Sequence, residues 1–70
     1  MRAAKLAKSD RLQRTHELLL RTYPAWVSTM CIIEGAQVCA VSAVVSELRQ
    51  NSVPVECKRE GDVWWYRLGE

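Results

Sequence analysis

Close pairs of cysteines are absent from this 70-residue chain. Its three cysteines, Cys31, Cys39 and Cys57, are widely and irregularly spaced, and it has a single histidine, His16. Structural zinc sites use four ligands, usually in close pairs that a tight turn presents together. We therefore expect no metal and no cofactor, and we interpret the cysteines as small apolar side chains in a reduced interior.

Long apolar runs are also missing. Residues 1–8 carry charges but lack the apolar segment of a signal peptide, and no run approaches the length of a transmembrane helix. The three glycines, Gly35, Gly61 and Gly69, are scattered, which excludes a glycine-rich phosphate loop. We expect a cytoplasmic protein with no membrane partner.

The chain offers little for catalysis, which requires paired titratable groups or a nucleophile beside a base. His16 falls on the apolar side of the first predicted helix, where a packed histidine is the commoner outcome. Only Cys57 among the cysteines has a basic neighbour, Lys58. A domain of this size also has little room for a cleft, so we do not expect an enzyme.

The composition that remains is globular, with 49% hydrophobic and 26% charged residues, so it predicts one small domain with a marginal core. The net charge of +2 permits nucleic-acid binding without indicating it. Basic residues are concentrated early, and we interpret residues 1–8 as a flexible basic arm before a domain at 9–70. A solvated, charged helix end is the alternative interpretation of this run.

Hydrophobic spacing predicts a first helix that begins at Ser9 or Asp10 and ends before Pro24. Its apolar stripe comprises Leu12, His16, Leu19, Leu20 and Tyr23. A brief strand or extended link at 26–28 and a second helix that ends near Gly35 follow. Two helices joined by a short glycine-bearing turn are typical of a helix-turn-helix unit.

The third predicted helix, at 38–51, has two contrasting faces. Val41, Val44, Val45 and Leu48 lie on one side, and Ser42, Ala43, Ser46 and Gln50 on the other, with Arg49 on the flank. Surface helices usually carry long charged side chains on the outer face. Small residues let a helix approach another molecule closely, as in the major groove of DNA. A helix that simply packs on both sides is the alternative.

A hairpin at 53–68 completes the chain, and Asn51 is the predicted C′ residue, the left-handed position just past the end of the preceding helix. Residues 59–62 form its turn, in which Gly61 supplies a positive φ. In the last strand one face carries Trp64, Tyr66 and Leu68, and the other carries Val63, Trp65 and Arg67. We expect Trp64 to pack with Tyr66, and Trp65 to be exposed or at an interface.

This order of elements resembles the winged-helix DNA-binding fold. Trp26-Val27-Ser28-Thr29 looks like the strand and cap before the second helix of that fold. Ser46-Glu47-Leu48-Arg49 looks like the end of a recognition helix, and Tyr66-Arg67-Leu68 like the closing wing strand. The resemblance implies a small α+β winged helix with three helices, a short strand after the first and a C-terminal β-hairpin wing. The size is similar to that of small phage and prophage regulators.

The resemblance further implies a DNA-binding transcriptional or recombination regulator with double-stranded DNA as its partner. The helix at 38–51 would enter the major groove and the wing at 53–68 would lie against the backbone or the minor groove. The implied contact residues are Thr29, Ser42, Ala43, Ser46, Arg49, Gln50, Lys58 and Arg59. A second copy of the chain is compatible with this role, because a single module binds DNA weakly.

Three features favour a winged-helix module that binds proteins and not DNA. The net charge is low, the third helix has only one basic residue and also one acidic residue, Glu47, and Asp62 lies at the expected wing tip. In that interpretation Trp65 is the candidate contact, because exposed tryptophans are enriched at interfaces.

Overall fold

Residues 8–69, the part of the chain that the structure describes, form three α-helices and a three-stranded antiparallel sheet in a computed structural model. The elements are α1 (Asp10–Thr22), β1 (Val27–Ser28), α2 (Thr29–Ala36), α3 (Val41–Gln50), β2 (Val55–Glu60) and β3 (Val63–Leu68). The predicted α+β order is confirmed. The predicted basic arm lies outside the described residues except for Lys8, which is exposed.

Helix α1 begins as the sequence predicts, because the Ser9 hydroxyl accepts a hydrogen bond from the Leu12 backbone N–H at 3.5 Å. It ends at Thr22, two residues before Pro24. Its buried residues are Leu12, Thr15, Leu18 and Leu19, whereas Leu20 and Tyr23 of the predicted stripe are exposed. Burial of Thr15 is tolerated because its hydroxyl donates to the Arg11 carbonyl at 2.9 Å.

Gly35 lies inside α2 and not in the turn that follows it. A Cβ at this position would lie 3.2 Å from Cδ2 of Leu18, so the missing side chain lets α1 and α2 approach closely. The left-handed residue after the helix is Gln37, with φ 55°. The C-terminus of α2 is held to α1 because Arg14 Nε donates to the Ala36 carbonyl at 2.8 Å.

Helix α3 begins at Val41, three residues later than predicted, and the chain turns by 82° between α2 and α3. At its end, Ser52 N–H donates to the Arg49 carbonyl and Val53 N–H to the Leu48 carbonyl, at 3.1 and 3.0 Å. This pair of bonds is a Schellman motif, which requires one left-handed residue. Ser52 adopts that conformation with φ 66°, so the assignment to Asn51 is wrong by one position.

Strand β3 lies between β1 and β2 in the sheet. The hairpin turn contains only Gly61 and Asp62, because β2 continues to Glu60 and pairs there with Val63. Gly61 has the predicted positive φ, 61°. Tyr66 pairs with Val27 on one side and with Cys57 on the other, and the helices cover the sheet face that buries Tyr66 and Leu68.

The cysteines do not occupy the core. Cys31, Cys39 and Cys57 are all exposed free thiols, so the interpretation of them as interior residues is wrong. Cys39 lies in the α2–α3 connection, and Cys57 lies on β2, where its Sγ is 3.5 Å from Arg49 Nη2 of α3. Among residues 8–69, no group of three His, Cys, Asp or Glu side chains could hold a metal ion.

None of the helices in this part of the chain is long and apolar enough to cross a membrane by itself. Only α2 and α3 together meet that length and composition, across their 82° bend.

Candidate nucleic-acid interface

One face of α3 is exposed to solvent. The core face of the helix is at most 4% exposed and comprises Val41, Val44, Val45 and Leu48. The opposite face exposes Ser42, Ala43, Ser46 and Gln50, as the sequence predicts. Within residues 8–69, the side chains of these four make no hydrogen bond to protein. The helix therefore presents unused hydroxyl and amide groups to solvent.

Arg49 is directed along the flank of α3 toward the hairpin. Its Nε and Nη2 donate to the Val55 carbonyl at 3.2 and 2.8 Å, and Nη2 also lies 3.5 Å from Cys57 Sγ. These bonds hold the end of α3 to the start of β2. The sequence predicts a contact to phosphate or guanine for this residue, and in this structure most of its donors are already used within the protein.

Helix α1 supplies two arginines to the other flank of α3. Arg11 forms a bidentate pair with Glu47, with Nη1 and Nη2 donating to the two carboxylate oxygens at 3.0 and 3.1 Å. Arg14 lies one turn further along, and both arginines border a depression that also contains Ala43 of α3. Sequence reasoning missed these residues as part of the site, because Arg11 and Glu47 are 36 positions apart.

The hairpin contributes only one of its two predicted basic residues to this side. Arg59 pairs with Trp64, on the sheet face that also carries Tyr66. Lys58 pairs with Trp65 on the opposite face, where its Nζ lies 4.6 Å from the centre of the Trp26 ring. The structure therefore does not bring Lys58 together with α3.

Both predicted DNA-contacting cations of the hairpin, Lys58 and Arg59, have acidic partners. Lys58 lies 3.0 Å from a Glu60 oxygen, and Arg59 lies 3.8 Å from Asp62 while its Nε donates to the Gly61 carbonyl at 2.9 Å. Basic and acidic residues nearly balance between positions 8 and 69. The local electrostatic field at the hairpin is correspondingly weak.

The two tryptophans of β3 have the opposite exposure from that predicted. Trp64 is 44% exposed, whereas Trp65 is partly buried and its Nε1 is enclosed without a hydrogen-bond partner within residues 8–69. Trp64 lies near the hairpin turn, opposite Arg59, beyond the part of the sheet that the helices cover. The expectation of an exposed Trp65 is therefore wrong, and its role at an interface stays a prediction, whereas Trp64 is the more exposed of the two tryptophans.

Thr29 is the first residue of α2, but Ser28 caps that helix by accepting from Cys31 N–H at 3.2 Å. The Thr29 hydroxyl instead donates to the Trp64 carbonyl at 3.3 Å, which ties α2 to β3. Thr29, Ser42 and Arg49 all border one groove between α3 and the hairpin. The structure thus brings these three predicted residues together.

Comparison of the chain with protein-family models, with curated proteins and with solved structures gives no match.

Proposed function

We propose that this protein is a small winged helix that binds double-stranded DNA, with the exposed face of α3 in the major groove. The observation that carries the proposal is the free face of α3, whose serine and glutamine side chains are unpaired among the described residues. The order of three helices and a C-terminal hairpin supports it. A regulator of transcription or recombination is the role that fits a module of this kind.

The small side chains on α3 suit close contact with base edges. Ser42, Ser46 and Gln50 carry hydrogen-bonding groups that match base edges, and Ala43 offers a methyl group to thymine. The first turn of α3 adds unpaired backbone N–H groups, because Ala40 at the N-cap provides no side-chain acceptor. Backbone N–H groups at a helix N-terminus bind phosphate oxygens.

Phosphate contacts in this proposal come from Arg11 and Arg14 on one side of α3 and Arg59 on the other. Arg11 and Arg59 have carboxylate partners in the free protein. Exposed ion pairs contribute only about 0.2–1 kcal/mol, so phosphate oxygens can replace these carboxylates at small cost. Such an exchange neutralises fewer net charges than a hairpin of free lysines would, and we expect moderate affinity.

The test is binding of a fluorescent random-sequence duplex, measured by anisotropy at low and near-physiological salt. We expect binding that weakens steeply with salt, because phosphate neutralisation releases counterions. Ser46→Glu introduces a negative charge at the centre of the free face and should lower affinity about tenfold or more, through repulsion and a lost base contact.

The matched control is Leu20→Glu, which adds the same charge at an exposed position of α1. Leu20 lies nine positions after Arg11, which is about 14 Å along the helix. Equal loss of affinity in both variants would contradict an interface on α3. If the wild-type protein does not bind the duplex even at low salt, the proposal of DNA binding is wrong.

A protein-interaction module without DNA binding is the second candidate. It is favoured by the carboxylate partners of the hairpin cations and by the exposed Trp64 beside α3. Exposed tryptophan next to an apolar surface is typical of binding hot spots. If the duplex does not bind, Trp64→Ala is compared with Trp26→Ala, which removes a partly buried tryptophan. This comparison separates a docking role of the surface around Trp64 from a structural role.

A further inference from the structure

A groove separates the first two turns of α3 from the outer part of the hairpin. Its volume is about 560 Å³, within the range of about 300–1,000 Å³ typical of small-molecule sites. Its walls include α3, Cys57 and two of the three aromatic residues of β3, Trp64 and Tyr66. The groove therefore has the size of a small-molecule site and lies between α3 and the hairpin.

The walls of the groove are mainly apolar. The α3 side is lined by Val41 and Val45, which are almost fully buried, and by the exposed Ala40, and Trp64 lines the hairpin side with 44% of its surface exposed. A flat aromatic ring can therefore stack against Trp64, because offset stacking adds to apolar burial. A sugar or another strongly hydrated molecule would lose water on binding without gaining hydrogen bonds from these apolar walls.

Arg49 is the only charged residue among those that line the groove. Its Nε and Nη2 are held by the Val55 carbonyl, so the guanidinium is already oriented, and its Nη1 makes none of these bonds. An arginine that is already oriented and has an unused N–H donor can bind a carboxylate without a further loss of side-chain freedom. The apolar walls and this one cation together select an aromatic ligand with one negative charge.

We propose that the groove between α3 and the hairpin binds small aromatic carboxylates, with the ring against Trp64 and the carboxylate at Arg49. This site does not depend on DNA binding. Its occupant would lie beside Ser42, at the edge of the face proposed to contact DNA.

The experiment is a titration of the ¹⁵N-labelled full chain with naphthalene-2-carboxylate, followed by NMR and carried out without DNA. The neutral amide of the same ring is the matched ligand. We expect chemical-shift changes confined to the groove, including the Trp64 indole N–H, and about tenfold tighter binding of the acid, because charge-assisted hydrogen bonds are about twice as strong as neutral ones.

Two variants locate the site. Ala40→Phe fills the groove from the N-cap of α3 and should abolish binding, whereas Ala25→Phe makes the same change at an exposed position outside the groove and should not. Arg49→Gln should remove the preference for the acid over the amide. If that variant loses its native spectrum, the proposal is decided by two results: the comparison of acid and amide with the wild-type protein, and the binding of the acid to Ala40→Phe.

Equal binding of acid and amide by the wild-type protein would overturn the assignment to Arg49. Unchanged binding by Ala40→Phe, or no shift changes with either ligand, would overturn the site. Failure of duplex binding leaves these readouts unaffected, so the two proposals are tested separately.

Discussion

The pair between Arg11 and Glu47 provides a quantitative test of the DNA interface. Glu47 is the acidic residue on α3, and its bidentate pair holds Arg11, one of the two α1 arginines proposed to contact phosphate. Glu47→Gln removes the negative charge, keeps the size of the side chain and releases Arg11. In the proposed complex, Arg11 then neutralises its phosphate without the offsetting carboxylate charge of Glu47 beside it, which amounts to one more net neutralised phosphate.

The expected size of the effect follows from counterion release. One more neutralised phosphate steepens the slope of log K against log[salt] by about 0.9 in duplex DNA. Over a fourfold change, from about 50 to 200 mM salt, this slope corresponds to an additional loss of affinity of about 3.5-fold. At the lowest salt concentration, Glu47→Gln should bind more tightly than the wild-type protein.

The free energy of unfolding should change little. The Arg11 and Glu47 side chains are 44% and 21% exposed, and ion pairs of this kind contribute about 0.2–1 kcal/mol. For a domain of this size the expected fall in Tm is about 1–8 °C. Thermal unfolding by circular dichroism therefore checks that the variant is folded before its DNA binding is compared.

Glu17→Gln is the matched control, because it makes the same charge change at an exposed position of α1. Anisotropy at four or more salt concentrations gives the slope for each protein. An unchanged slope in a folded Glu47→Gln variant would refute the placement of Arg11 at the DNA. The same steepening of the slope in Glu17→Gln would mean that the overall charge of the protein, and not the release of Arg11, causes the effect.

Two further predictions concern the fold. Gly61→Ala should lower the free energy of unfolding, measured in urea, by about 1–2 kcal/mol. The cost is one of backbone conformation, because φ is 61° and the added Cβ would meet no atom within 4 Å. Gly61→Asn should lose less stability, because asparagine tolerates this conformation, and equal losses would contradict a purely backbone cost. Cys31, Cys39 and Cys57 should all react with Ellman's reagent in the folded protein, and thiols that react only after unfolding would contradict their exposure.

Local features of the chain were predictable because neighbouring residues determine them. The Ser9 cap, the end of α1 before Pro24 and the positive φ of Gly61 follow from backbone geometry within a few residues. The division of α3 into a buried valine–leucine face and an exposed serine–glutamine face follows from a period of 3.6 residues. Much of the candidate α3 surface could therefore be read from the sequence.

In the hairpin, the alternation of residues along a strand predicted only part of the observed exposure. Alternation correctly assigned Trp64 and Trp65 to opposite faces of β3, but it could not determine how far the helices extend over the sheet. Trp64 is exposed because it lies near the turn, past the covered region, although Tyr66 on the same face is buried. The same register carries Lys58 to the face that lies away from α3.

The partners of the site residues were decided only by the tertiary structure. Arg11 meets Glu47 across 36 positions, and Arg49 turns to the Val55 carbonyl when β2 lies against the end of α3. A periodic pattern describes which side of one element is apolar, but it contains no information on which charged groups a second element brings within hydrogen-bond distance. The sequence alone therefore determined the helices, the turn and the free face of α3, whereas chain packing determined which cations are already paired and where the groove lies.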